Sequence, residues 1–244
     1  MTAPKKPAGR RAVFDASFGI HSLNKNTPER EYHESQYEFH YPRIDDLADM
    51  IATLGRGCYL FKRDLSRYFL QLKIDPIEYD KLGFVWRQKL FFFVSFVWGC
   101  RHAGYCGQWL SSAVSFIHKA LGIELTGSPF NILNYADDFA GAEDSFTVAK
   151  TSLEMVGQLL SDLGLLESTK KACPPSTVMV YLGVKFDTNN MAMFVEDEKV
   201  VELKHELNVW RRKTVATKQD LQSILGKLLW VSRTVRFSVS SSRE

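Results

Sequence analysis

Two adjacent carboxylates, Asp137 and Asp138, stand between two short apolar segments, 131–135 and 139–142. Each segment has the length and composition of a β-strand, and the aspartates are the polar part of their connection. The spacing predicts a tight hairpin with both carboxylates at its tip. Two like charges held side by side repel each other, and a bound divalent cation would remove that penalty. The hairpin is therefore a candidate metal site, with an ordinary solvated turn as the alternative.

Asp64 is a third candidate carboxylate. It ends the apolar segment 59–64, an expected strand that follows Gly55 and Gly57. A neighbouring strand would present this carboxylate beside the hairpin. Three carboxylates that converge from two strands suit a pair of magnesium ions about 3.5–4 Å apart, an arrangement used in phosphate chemistry.

The composition excludes disorder and a membrane-spanning protein. Of the 244 residues, 45% are hydrophobic and 13% aromatic, which is typical of a chain that buries a core. The longest apolar stretch, 90–98, is about half as long as a bilayer span and is predicted to be a core strand. The N-terminal segment lacks the apolar part of a signal peptide, so we expect an intracellular protein, cytoplasmic or nuclear, with no membrane partner.

Charge is distributed unevenly along the chain. Residues 1–14 contain four bases and no acid, and residues 199–236 contain nine bases and three acids. The stretch between them, 15–198, contains 17 bases and 24 acids. Basic flanks favour a polyanionic partner, and the acids between them could hold metal ions. Ordinary solvated surface is the alternative, and the charge pattern alone does not decide between the two.

Hydrophobic periodicity predicts an α+β body followed by helices. Gly122 and Gly164 are expected to end two helices, and Thr217 with Asp220 forms an expected capping box for the last one. The expected strands are 11–15, 59–64, 82–86, 90–98, 131–135, 139–142, 178–186 and 191–195, and the expected helices are 105–121, 145–163, 199–212 and 218–232.

The acidic motifs resemble those of reverse transcriptases. Tyr135-Ala-Asp-Asp138 is similar to the Tyr-x-Asp-Asp box, and 63–72, which begins Arg63-Asp-Leu-Ser, is similar to the first catalytic motif. Together with 217–229, the pattern is most similar to retrotransposon enzymes of the tyrosine-recombinase (DIRS-like) type. Four more segments follow the family's order: a fingers strand at 11–15 with 22–24, a glycine motif at 98–103, a lysine motif at 163–171 and a primer grip at 181–183.

The resemblance implies a right-hand polymerase fold of the α+β class. Residues 1–58 would form partial fingers, and 59–195 the palm, an antiparallel sheet with packed helices and a finger insertion at about 75–98. Residues 196–244 would form thumb helices and a frayed tail. An RNase H domain is expected in the parent polyprotein, of which this chain would be the polymerase core.

The resemblance also implies an RNA-directed DNA polymerase that uses two-metal nucleotidyl transfer. It would extend a DNA primer on an RNA or DNA template with dNTPs. The cofactor would be two Mg²⁺ ions, with Mn²⁺ as the alternative. Their ligands would be Asp64, Asp137, Asp138 and the backbone carbonyl of Leu65.

Other roles carried over from the family fall on single residues. Arg11 would grip the triphosphate, because a guanidinium matches phosphate oxygens. Phe69 would exclude a ribose 2′-hydroxyl by its size, and Gly99 would allow close approach of nucleotide or template. The alternatives are that Arg11 is an ordinary surface arginine, that Phe69 is a core aromatic, and that Lys170 and Lys171 are a solvated lysine pair. The remaining assignments are Lys171, or Lys170 in its place, as general acid, Tyr135 in the substrate site, and Tyr181, Leu182 and Gly183 as primer grip.

Two other functions stay open. A truncated or domesticated retroelement fragment would keep the fold and act only as a nucleic-acid-binding module. An RNA-dependent RNA polymerase would share the metal chemistry, although Phe69 argues against it. The oligomeric state is not predicted.

Overall fold

The computed structural model of the protein describes residues 2–5, 9–12, 14–20, 22–25 and 41–240. The chain divides into two compact units, each built from three separate stretches. The first unit comprises Met1–Pro42, Arg63–Phe139 and Glu154–Ala172, and the second comprises Arg43–Lys62, Ala140–Leu153 and Cys173–Glu244.

Strands and helices are interspersed up to Asp162, four successive strands follow, and two helices come last in the described chain. The strands are β1 (Thr2–Lys5), β2 (Gly9–Ala12), β3 (Tyr59–Asp64), β4 (Gly83–Trp86), β5 (Lys89–Phe92), β6 (Ile132–Tyr135), β7 (Asp138–Glu143), β8 (Cys173–Ser176), β9 (Val178–Tyr181), β10 (Val184–Asp187) and β11 (Ala192–Val195). The helices are α1 (Ile44–Leu54), α2 (Tyr68–Gln71), α3 (Arg101–Thr126), α4 (Phe146–Asp162), α5 (Asp197–Trp210) and α6 (Lys218–Ser240), with 3₁₀ turns at Pro76–Leu82 and Thr169–Lys171.

The core of the first unit lies between a sheet and two helices. The strand order of this sheet is β6-β7-β3-β8, and the first unit contains β6, the start of β7 and the end of β3. Strand β3 begins and ends where the sequence predicts. The core side chains come from β6 and β7, from α3 and α4, and from the segment after β3 that includes α2: Leu65, Tyr68, Val114, Ile132, Phe139, Val156 and Leu160.

Helix α3 is longer than predicted at both ends, and Gly122 does not end it. A side chain at Gly122 would overlap Phe130, so the glycine allows the following segment to pack closely against the helix. The helix ends at Gly127, whose φ of 79° is left-handed and favours glycine. The prediction was wrong here because a glycine needed for close packing has the same sequence signal as a terminating one.

The stretch 90–98 is not a core strand, which corrects the prediction. Strand β5 covers only its beginning and pairs with β4 as a two-stranded hairpin across Arg87 and Gln88. Leu90 is 61% exposed and Trp98 is 49% exposed. Apolar composition alone therefore does not imply burial.

The second unit contains a three-stranded antiparallel sheet of order β11-β10-β9. The sequence predicts one strand over 178–186, but the chain turns back at Leu182 and Gly183, whose φ values are 47° and 81°. This tight turn makes two strands of one apolar run. The buried hydroxyl of Thr188, directly after β10, donates a hydrogen bond to the Cys58 carbonyl at 2.7 Å.

The periodicity predicts two C-terminal helices, and the structure has both of them. They lie in the second unit. The predicted capping box of α6 is confirmed: the Asp220 carboxylate accepts from the Thr217 amide at 3.0 Å, and the Thr217 hydroxyl accepts from the Asp220 amide at 3.1 Å. No side chain of α5 is fully buried. Within the part of the chain that the structure describes, no helix combines the length and hydropathy that crossing a bilayer requires.

Candidate active site

The end of β3 lies beside the β6–β7 turn. The Leu65 amide donates a hydrogen bond to the Asp137 carbonyl at 2.9 Å, so Asp64 and the acidic turn are neighbours in the first unit. Asp64 is only 2% exposed, whereas Asp137 and Asp138 are half-buried. The structure therefore brings together the strand ends that carry all three predicted carboxylates.

The tip of the acidic hairpin lies one residue earlier than predicted. Ala136 and Asp137 form the connection, and Asp138 is already the first residue of β7. Ala136 has a φ of 49°, a left-handed conformation that costs a residue with a Cβ atom about 1–2 kcal/mol. Because side chains alternate along a strand, this shift places the two carboxylates in different backbone settings instead of side by side in one loop.

Helix α3 holds this turn through two buried polar side chains that the sequence reasoning missed. The Ser111 hydroxyl donates to the Ala136 carbonyl at 2.7 Å, and the Gln108 amide oxygen accepts from the Ala136 amide at 2.8 Å. Both residues are buried at 2% exposure or less. The available signal was polar residues at helical spacing on a face that also carries Val114.

Backbone hydrogen bonds bring Lys171 to Asp64. The Ser66 amide donates to the Leu166 carbonyl at 2.8 Å, and the Ser168 amide donates to the Asp64 carbonyl at 2.7 Å. The segment after α4 is thus fixed along the end of β3. The Lys171 ammonium then lies 2.8 and 2.7 Å from the two carboxylate oxygens of Asp64.

The charge on Lys171 is stabilised by the carboxylates. Burial alone would lower the pKa of Lys171, but its hydrogen bond to Asp64 and the negative charges of Asp64, Asp137 and Asp138 outweigh that effect and raise the pKa. Lys171 therefore keeps its proton at neutral pH. The ammonium group of Lys171 thus lies in the electrostatic field of all three predicted carboxylate ligands.

The donor set fits a hard cation, although the Asp64 carboxylate is paired with an ammonium group. Among the described residues, no three Asp, Glu, His or Cys side chains are grouped as metal ligands. Carboxylate oxygens are nevertheless the ligands that Mg²⁺ prefers. Lys171 is the stand-in for a cation here, because it binds both oxygens of the buried Asp64.

An ion pair fixes the opposite side of β3. Arg63 pairs with Glu167, and both side chains are at least four-fifths buried. A side chain at Gly157 of α4 would overlap the Arg63 guanidinium, so this glycine makes room for it. The residue before Asp64 is thereby anchored as well.

Phe69 and Gly99 lie in the same unit. The Phe69 ring meets the Trp98 ring edge-on, with centroids 5.0 Å apart, and also packs on Tyr68 at 5.2 Å. Gly99 has a φ of 104°, which requires glycine. The Asn24 side chain donates to the Gly99 carbonyl at 2.8 Å and accepts from the amide that begins α3 at 2.9 Å, a bridge that the sequence reasoning missed.

The remaining predicted residues are placed less directly. The Tyr135 ring packs on Tyr41, with centroids 4.9 Å apart. Arg11 lies in β2, and its side chain is outside the described part of the chain. The predicted primer grip lies in the second unit, where Tyr181 is buried and Leu182 and Gly183 form the β9–β10 turn.

No known family profile matches the sequence, and no curated protein matches it. Solved structures match the fold. A foamy viral protease-reverse transcriptase dRH in complex with double-stranded DNA gives a TM-score of 0.67 at 18% identity, over 100% of this chain. A foamy viral protease-reverse transcriptase in complex with an RNA/DNA hybrid gives 0.63 at 20% identity, over 93% of this chain.

This chain has a reverse transcriptase-like fold. It spans 39% of the length of the first of those chains and 26% of the second. The reverse transcriptase-like fold agrees with the mixed α and β composition and antiparallel sheets predicted from the sequence.

Proposed function

We propose that this chain is the polymerase core of a reverse transcriptase, an RNA-directed DNA polymerase that extends a DNA primer on an RNA or DNA template with dNTPs. The observation that carries the proposal is the site at the end of β3. There, buried Asp64 adjoins the turn that carries Asp137 and Asp138 and already binds a cationic group. The reverse transcriptase-like fold supports it.

The three aspartates and the Leu65 carbonyl would hold two Mg²⁺ ions, or Mn²⁺ in their place. Bound there, the ions would activate the primer hydroxyl and offset charge on the phosphates. The protein's own contribution is a set of carboxylates that α3 and the end of β3 hold in place before any nucleotide binds. Preorganised charge of this kind needs little rearrangement during the reaction.

Lys171 would have two roles in this scheme. It neutralises Asp64 while the ammonium and carboxylate are paired. As general acid it would donate a proton from its ammonium to the departing pyrophosphate, and Asp64, released from the pair, would be one of the residues that hold a metal ion. Arg11 would bind the triphosphate, with a fork of donors that matches phosphate oxygens.

Aromatic side chains and a glycine of the same unit would contact the substrate. Phe69 is held by Tyr68 and Trp98 and would exclude a 2′-hydroxyl by its size. Gly99 leaves room for the nucleotide or template, and Tyr135 would complete the substrate site. The primer grip would be the turn at 181–183.

The whole protein would bind a template-primer duplex and include an RNase H domain. The complexes with double-stranded DNA and with an RNA/DNA hybrid among the structural neighbours support duplex binding. We propose fingers, palm and thumb at the predicted boundaries, an origin in a DIRS-like retrotransposon, and a site of action inside the cell.

A primer-extension assay with poly(rA)/oligo(dT), dTTP and Mg²⁺ tests the proposal. The expected result is metal-dependent synthesis that falls more than a hundredfold when Asp137→Asn and Asp138→Asn are combined, because the metals contribute several kcal/mol of charge stabilisation. Asp162→Asn, at an exposed aspartate on α4, is the matched control and should retain full activity. Absence of synthesis by the unmodified chain would refute the proposal.

Binding without polymerisation is the second candidate. It is favoured by one observation: Asp64 is paired with Lys171, and the three carboxylates are not grouped as metal ligands among the described residues. A module of this kind would bind duplex with an affinity that falls as salt rises, because counterions are released from the phosphates. Salt-dependent binding together with no extension in either Mg²⁺ or Mn²⁺ would favour it over the polymerase.

A further inference from the structure

Ala136 is the residue of the acidic turn whose backbone needs outside support. Its φ of 49° is uncommon for a residue with a side chain, and the Asp137 backbone follows directly from it. The turn's own residues offer no glycine to make this conformation easy. The conformation must therefore be stabilised by neighbouring groups, and both polar atoms of the Ala136 peptide have a partner on α3.

Hydrogen-bond donors and acceptors in this cluster can be assigned. The Ser111 hydroxyl has a single proton and gives it to the Ala136 carbonyl. The Tyr68 hydroxyl, 2.8 Å from the Ser111 oxygen, must therefore be the donor to Ser111. Burial raises the pKa of Tyr68 more than the Ser111 hydrogen bond lowers it, so the phenol keeps the proton that it donates.

Gln108 fixes the other side of the turn. Its amide oxygen accepts from the Ala136 amide, and its amide nitrogen donates to the Asn134 carbonyl at 2.9 Å. These two bonds also determine which end of the side chain is oxygen. Gln108 thus spans the last residues of β6 and the first residue of the turn with both of its polar atoms.

We propose that Gln108 and Ser111 are positioning residues for the acidic turn: together they hold Ala136 in its left-handed conformation and so set where Asp137 and Asp138 present their carboxylates. Tyr68, four residues after Asp64, orients the Ser111 hydroxyl and links the turn to the segment that follows β3. The hydrogen bonds are the evidence that these residues hold the turn. That holding the turn affects catalysis rests on the proposed function.

Ser111→Ala removes the hydrogen bond to the Ala136 carbonyl, and Gln108→Met removes the one to the Ala136 amide. Both changes nearly conserve side-chain volume, and each tests the proposal if the other variant fails to fold. Ser115→Ala is the matched control, one turn further along α3. Ser115 is also buried, and within the described chain its hydroxyl has no hydrogen-bond partner. All three variants lose one polar group from the same face of the same helix.

Amide hydrogen exchange of a peptide covering residues 132–139 measures the turn without any activity. Ser111→Ala should speed exchange about fivefold relative to Ser115→Ala, the effect of losing one hydrogen bond, and Gln108→Met, which removes two, should speed it at least as much. In primer extension the two variants should lower kcat about 10- to 100-fold, with KM for dTTP little changed, because the carboxylates and not the nucleotide contacts are displaced.

The outcomes separate the two proposals. Exchange in both variants as slow as in Ser115→Ala overturns the positioning role, and so does an unchanged kcat in an active protein. Faster exchange in a protein that shows no extension even when unmodified supports the hold on the turn and overturns the proposed polymerase instead.

Discussion

Two hairpins, β4–β5 and β6–β7, both place residues other than glycine in the left-handed region of the backbone, but in different surroundings. The β4–β5 turn has φ values of 49° at Arg87 and 60° at Gln88, and the β6–β7 turn has 49° at Ala136. The first turn is exposed and the second is half-buried. Neither uses glycine, so each must offset the cost of a left-handed residue in another way.

They do so with different partners. Cross-strand side chains stabilise β4–β5, where the Phe84 and Phe91 rings stack with centroids 5.6 Å apart. Hydrogen bonds from a helix more than twenty residues away in sequence stabilise β6–β7. Local contacts are sufficient to form a hairpin, but long-range ones fix its atoms, and the hairpin fixed in this way is the one that carries carboxylates.

Removing a large side chain from each hairpin should give the largest difference. Phe139 in β7 is fully buried, so Phe139→Ala should lower the free energy of unfolding by about 3–5 kcal/mol. Phe91 in β5 is 42% exposed, and Phe91→Ala should cost less than about 1 kcal/mol. Urea titration of both variants measures the difference. Equal losses would show that β4–β5 is as much a part of the core as β6–β7.

A smaller loss should follow removal of the Tyr68 hydroxyl. Tyr68→Phe keeps the ring and removes the donor to Ser111, which should cost about 1–1.5 kcal/mol because a buried acceptor loses its partner. The control is Tyr79→Phe, the same change at a half-buried position of the 3₁₀ turn Pro76–Leu82, which should change stability by less than about 0.5 kcal/mol. Similar losses of stability in both variants would show that the Tyr68 hydroxyl does not support the turn.

Glycine should help the exposed hairpin. Gln88→Gly removes a side chain from a left-handed position and should stabilise the protein by about 0.5 kcal/mol. Gln88→Ala keeps a Cβ atom and is the control, with no gain expected. Thermal unfolding of the two variants gives the comparison. A loss of stability with glycine would mean that the Gln88 side chain itself supports the turn.

The capping box of α6, in the second unit, extends the comparison to an exposed polar cluster, and here the smallest effect is expected. The hydrogen bond from Lys213, with those from the backbone and hydroxyl of Thr217, lowers the pKa of Asp220 from 3.8 to about 2. A lowered pKa stabilises the folded state above the ordinary value, and this contribution disappears as pH falls through about 2.

Thermal unfolding midpoints of the natural chain and Asp220→Asn should therefore differ at pH 5 and converge towards pH 2. Thr217 keeps its hydroxyl in both proteins, so the carboxylate alone is tested. A gap of the same size at both pH values would contradict the role of the ionised carboxylate in the cap.

The sequence was sufficient for features with local causes. Strand β3 and the cap at Thr217 were predicted because alternation, glycines and capping partners lie within a few residues of each other. The end of α3 was misplaced because Gly122 makes room for Phe130, and that contact forms only after the chain folds back. The stretch 90–98 was assigned to the core because apolar composition cannot show whether a second layer covers it.

The site divides in the same way. The acidic residues and Lys171 could be identified from their motifs, but the pairing of Lys171 with Asp64 depends on hydrogen bonds between segments a hundred residues apart. Gln108 and Ser111 were missed because a polar residue on a helix is usually solvent-facing, and only the fold buries these two.

The pairing of Lys171 with Asp64 also matters for the folding of the chain. A buried carboxylate that brings its own counter-charge does not make folding conditional on an external ion. Replacement of Lys171 by an uncharged residue would leave that buried carboxylate without its counter-charge, which is costly inside a protein.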